Sequence, residues 1–61
     1  MQQKTRTLYV IQTLRTMAQM EIQLADHTED WDELCQREYA ANKYIELANL
    51  LVRDLKEANQ R

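Results

Sequence analysis

Glycine and proline are absent from all 61 residues. Reversals that need positive φ recruit glycine, and many others use proline. Their absence argues against a multi-stranded β fold and leaves room for very few chain reversals. One histidine, His27, and one cysteine, Cys35, are present. A single cysteine closes no internal disulfide, and a single histidine builds no multi-histidine metal site. No glycine-rich loop exists to cradle a phosphate. No apolar run has the length of a signal-peptide core or a bilayer span. The lone thiol fits a reducing compartment. The expectation is a cytoplasmic protein with no cofactor, no metal, no membrane partner and no catalytic role, since no acid/base pair converges in a pocket.

What fills the chain instead is Ala, Leu, Gln, Glu, Arg, Lys and Met, the residues that favour helix. The formal charge is −2, but it is unevenly spread. Residues 1–20 carry Lys4, Arg6 and Arg15 and no acid, whereas residues 21–38 carry seven acids against Arg37 alone. Further along, Lys43, Arg53 and Lys56 are scattered. Nucleic acid is therefore disfavoured as a partner, because phosphate binding needs clustered Lys and Arg.

Residues from about 3 to 26 read as a first helix. Leu8, Ile11, Ala18, Ile22 and Ala25 recur at helical spacing, and Val10, Leu14, Met17 and Leu24 widen the stripe. A stripe this wide implies more than one neighbouring helix. The break falls in Asp26-His27-Thr28-Glu29-Asp30, with a turn at about 27–28. Thr28 can cap the next helix, and Asp30 with Glu33 forms an alternative capping box. The second helix then runs from about 29 to 58. Leu34, Glu38, Ala41, Ile45, Ala48, Val52 and Leu55 alternate steps of four and three, an a/d seam with one charged member, and Trp31 extends it backwards. Glu33 and Arg37 form a correctly oriented i,i+4 pair.

The fold class is thus all-α, one antiparallel two-helix hairpin that completes a bundle by dimerisation or by binding a partner. At ~1.5 Å per residue the second helix is about 45 Å long and the first about 35 Å. With the turn centred near His27, Lys4 lies opposite Leu51, and Val52, Leu55 and Ala58 are left without cover. Leu47 and Leu50, with Tyr39 and Ala40, fall away from the seam. The apolar strip Tyr44, Leu47, Leu50, Leu51 and Leu55 is the expected partner-binding site, fit for a helical segment laid in a groove.

Other residues carry weaker signals. Glu21 and Glu38 interrupt stripes that should meet, either as edge residues reaching water or as a buried polar contact setting register, with Arg15 near enough to answer Glu38. Trp31, Leu34 and Glu38 are read as structural, Trp31 plugging the hairpin end rather than serving with Tyr39 and Tyr44 as an interface anchor. His27 reads as a solvated turn residue and Cys35 as a half-buried, inert thiol.

Leu8-Tyr9 opening the first helix, Leu24-Ala25 closing it, and Trp31, Leu34 and Glu38 in a W-x-x-L-x-x-x-E pattern together resemble the N-terminal hairpin of the FliT-type flagellar export chaperones, over about residues 8–52. Members of that family add further helices after the hairpin. The resemblance implies a small chaperone or adaptor that binds a helical segment of an exported or filament protein. The alternatives are a homodimeric four-helix-bundle regulator of the RNA-binding copy-control type, and a small phage-encoded inhibitor.

Overall fold

The computed structural model describes residues 3–59. They form two helices, α1 (Gln3–Asp26) and α2 (Trp31–Asn59), packed against each other as an antiparallel hairpin. No strand occurs among the described residues. The molecule measures 48 × 19 × 10 Å, so it is one helix layer deep. Its radius of gyration is 14.3 Å, against about 10.5 Å for a compact domain of this length.

The reversal is built without a left-handed residue, since no described residue has positive φ. Leu24 and Ala25 carbonyls accept from the His27 and Thr28 N–H groups at 3.2 and 3.3 Å, tightening the end of α1 into i→i−3 bonds. Asp30 then starts α2. Its carbonyl accepts from the Leu34 N–H at 2.9 Å, and its Oδ1 accepts from the Asp32 N–H at 3.0 Å. Asp30 is therefore the N-cap. Thr28 does not cap the helix directly. Its Oγ1 accepts from the Asp30 N–H at 3.2 Å and donates to Glu33 Oε2 at 3.2 Å. The donor a capping-box glutamate would take is already held by Thr28, and Glu33 reaches Thr28 instead.

This cap moves the start of α2 to Trp31, two residues later than periodicity suggests, so the break covers His27–Asp30. Shifting the turn's centre by two residues shifts the pairing of the helices by about one turn. Glu21 now sits level with Arg37. The same register brings Lys4 level with Leu55, and Gln3, Lys4 and Thr7 line one groove with Leu51, Leu55 and Ala58. The end of α2 is not left bare by its own chain.

The seam also runs one residue off the expected line. On α1 it follows Thr7, Ile11, Leu14, Ala18, Glu21 and Ala25, each buried or half-buried, while Leu8 and Ile22 are exposed. On α2 it follows Leu34, Arg37, Ala41, Tyr44, Ala48, Leu51 and Leu55. Arg37 and Tyr44 take the places expected of Glu38 and Ile45, both exposed. The reason is the alanines. Ala18, Ala25, Ala41 and Ala48 are spaced by seven and buried, Ala48 completely at 0 % exposure. Alanine at the closest approach brings two helices together, and heptad geometry then turns Glu21 and Arg37 toward each other. Ile11 is the one large side chain among the buried residues.

Candidate interaction face

A seam of steps three and four leaves a flank on each side of each helix, and in an antiparallel pair like flanks share one side. Gln3 and Asp54 line a common groove accordingly. One broad face of the hairpin therefore carries Val10, Met17 and Leu24 from α1 beside Ala40 and Leu47 from α2. Met20 and Leu50 stand at its two edges. Val10, Met17, Met20, Leu24, Leu47 and Leu50 are all exposed, Leu47 at 50 % and Leu50 at 45 %. Half-buried Leu14, Tyr44 and Leu51 floor it.

The expected strip on α2 thus lies on this face, with its members in two states. Leu47 and Leu50 are exposed; Tyr44, Leu51 and Leu55 are half-buried in the seam against α1. The half of the face that α1 supplies was not among the expected site residues. Its signal was the extra width of the α1 stripe, carried by Val10, Met17 and Leu24.

Near the turn the face becomes polar. Arg37 Nη1 donates to both Glu21 oxygens at 3.3 and 3.1 Å, and Nη2 donates to Glu33 Oε1 at 3.4 Å. Glu33 in turn accepts from Thr28. This chain of contacts ties α1, the turn and α2 together. Hydrogen bonds from Arg37 to Glu21, then the charge of Glu21, hold the guanidinium's pKa above its ordinary value against the opposing effect of burial, and Glu33 adds lesser support. The side chains remain a fifth to a half exposed, so the network fixes register more than it adds stability. Of the two sequence readings of Glu38, its exposure fits the edge residue reaching water rather than the contact with Arg15. Arg15 and Glu38 are both exposed, and the shifted register sets Arg15 level with Lys43 rather than Glu38.

The opposite side carries Leu8, Ile22, Ile45 and half-buried Val52, interrupted by Arg15 and Glu38. Trp31 belongs to this side and is 73 % exposed, so it does not plug the hairpin end. As the first residue after the N-cap it precedes the point where α2 meets α1. Of the three residues read as structural, only Leu34 is half-buried in the seam. Cys35 is a free, exposed thiol rather than a half-buried one. His27 is exposed in the turn. Tyr39 points outward, with Lys43 Nζ 5.4 Å from its ring centroid.

Among the described residues no helix is long and apolar enough to cross a membrane, and no group of three His, Cys, Asp or Glu is placed to hold a metal ion. Comparison with protein-family models, with curated proteins and with solved structures gave no match to this chain.

Proposed function

We propose that the chain is a helical protein–protein interaction module that docks helices of a second polypeptide on the face of Val10, Met17, Leu24, Leu47 and Leu50. The observation that carries this reading is the inversion of sizes across the hairpin. Among the described residues four of the five buried apolar ones are alanines, while twelve large apolar side chains are exposed, six of them on this face. Singly scattered exposed leucines need no explanation, but a contiguous apolar face marks a docking surface. Its elongated, ridged shape suits a helix laid along the groove.

The resemblance to the flagellar export chaperones supports the chaperone or adaptor form of this reading, with a helical segment of an exported protein as the client and the cytoplasm as the place of work. No reaction chemistry is assigned to the chain.

A photo-crosslinking residue at Leu47 tests the face in cells that produce the chain, with one at Glu46, on the outer surface of α2, as its control. Adducts are expected from position 47 and not from position 46. Equal yields from both, or none from 47, would remove the face as the site.

A further inference from the structure

We infer that the occupant of this face is a second copy of the same chain, the two hairpins stacking face to face and end for end into a four-helix bundle. The inference rests on the reading of that face as an interface and names its partner.

Area makes the first argument. The molecule exposes 5254 Å², about 1,100 Å² more than the roughly 4,200 Å² expected of a compact monomer of this mass. A standard interface removes about 800 Å² from each partner. One copy laid on the 48 × 19 Å face covers that amount with a surface of the same length. The core makes the second argument. An alanine seam buries little apolar area, and chains this small usually need an added source of stability. A foreign partner supplies it only after it arrives. A second copy is present whenever the chain is made, and linkage then stabilises the fold at the chain's own concentration.

Charge sets the orientation. The turn end, residues 21–37, holds Glu21, Asp26, Glu29, Asp30, Asp32 and Glu33 against Arg37 alone, which binds Glu21 and Glu33. The open end holds Lys4, Arg6, Arg53 and Lys56 against Asp54 and Glu57. Stacking turn on turn would set two net negative ends against each other. Stacking end for end sets each beside the net positive end of the partner, and a two-fold axis across the middle of the face satisfies both copies at once.

Light scattering on the intact chain at about ten micromolar is expected to return about twice the 7.3 kDa of one chain. A 7.3 kDa monomer would overturn the dimer. The fate of the wider reading is then decided separately by the Leu47 adduct, which survives as a link to another protein if only the dimer is wrong. Orientation is read by spin labels on Glu29→Cys in a Cys35→Ser background. End-for-end stacking places the two labels roughly one molecular length apart, 48 Å. A separation under about 20 Å would mean turn-on-turn stacking and overturn the charge argument. Leu47→Asp is expected to halve the mass. Because that variant loses helix if the hairpin needs its copy, Arg6→Glu with Lys4→Glu serves beside it. This pair leaves the seam leucines intact and is expected to weaken association at least tenfold at low salt, with less loss in 0.5 M salt. No change in the dimer would overturn the end-for-end pairing.

Discussion

The two helices share one seam yet keep their form by different means. α2 begins with a capping aspartate, carries Asp32 and Glu33 in its first turn and Lys56 in its last, and has two β-branched residues in 29. Each feature favours the helix before any packing. α1 has seven β-branched residues in 24, no acid in its first turn and no base in its last. Lys4 near its start and Asp26 at its end oppose the helix dipole. Three threonine hydroxyls, Thr7, Thr13 and Thr16, turn back onto the carbonyls four residues earlier at 3.0, 2.9 and 3.0 Å. Those bonds satisfy the hydroxyls locally but add little to the helix. α2 has a sequence that favours helix before any packing, whereas α1 leans on its seam with α2.

The largest effect should come from the residue through which α1 is held. Ile11 is 4 % exposed and is the one large side chain among the fully buried residues, the others being alanines. Ile11→Ala should cost about 3 kcal/mol. In a chain this small that removes most of the stability. Urea unfolding followed by circular dichroism should show α1 signal lost first, with residual helix from α2. A cost below about 1 kcal/mol would mean that α1 does not depend on the seam, and the contrast between the helices would fall.

A smaller effect is expected where α2 looks after itself. Asp30→Ala removes the acceptor for the Asp32 N–H and should cost about 1 kcal/mol. Amide exchange should rise at Asp32 and Glu33 and leave the middle of α2 protected. If exchange rises along α1 instead, the cap acts on the hairpin through Thr28 and Glu33 rather than on α2 alone.

The fold class was legible because it rests on local chemistry. Without glycine or proline, and with one polar cluster between two long periodic runs, a helical hairpin is the solution left. Finer placement was less legible, for two reasons. The stripe on each helix is wider than one seam needs, so Leu8 and Ile22 compete with Leu14 and Glu21 for the inside, and hydrophobicity favours the wrong pair. Alanine settles the contest by allowing close approach, a property that patterning by hydrophobicity weighs least. The turn is the second reason. Thr28 and Asp30 both have capping chemistry, and the choice between them moves every pairing along the rod by a turn. That choice decides whether Leu55 is bare or faces Lys4. For the candidate face, Leu47 and Leu50 were legible as residues off the seam. The α1 half was visible only as unexplained width, because a single helix's pattern does not say which of its flanks lies beside the other helix.

The smallest changes sharpen the comparison most, since they touch no packing. Thr5 is exposed in the first turns of α1. Thr5→Glu places a negative charge near the positive end of the dipole and replaces a β-branched residue with a better helix former, a gain of about 0.3–1 kcal/mol. Lys56→Glu makes the opposite change in the last turn of α2 and should cost a similar amount. Both should be read as shifts of the urea midpoint at low salt, and both should shrink as salt screens exposed charge. Equal and opposite shifts would mean that α1 lacks what α2 has, and that the deficit is intrinsic to its sequence. A gain at Thr5 with no loss at Lys56 would mean that the end of α2 is already held by contacts beyond its own dipole.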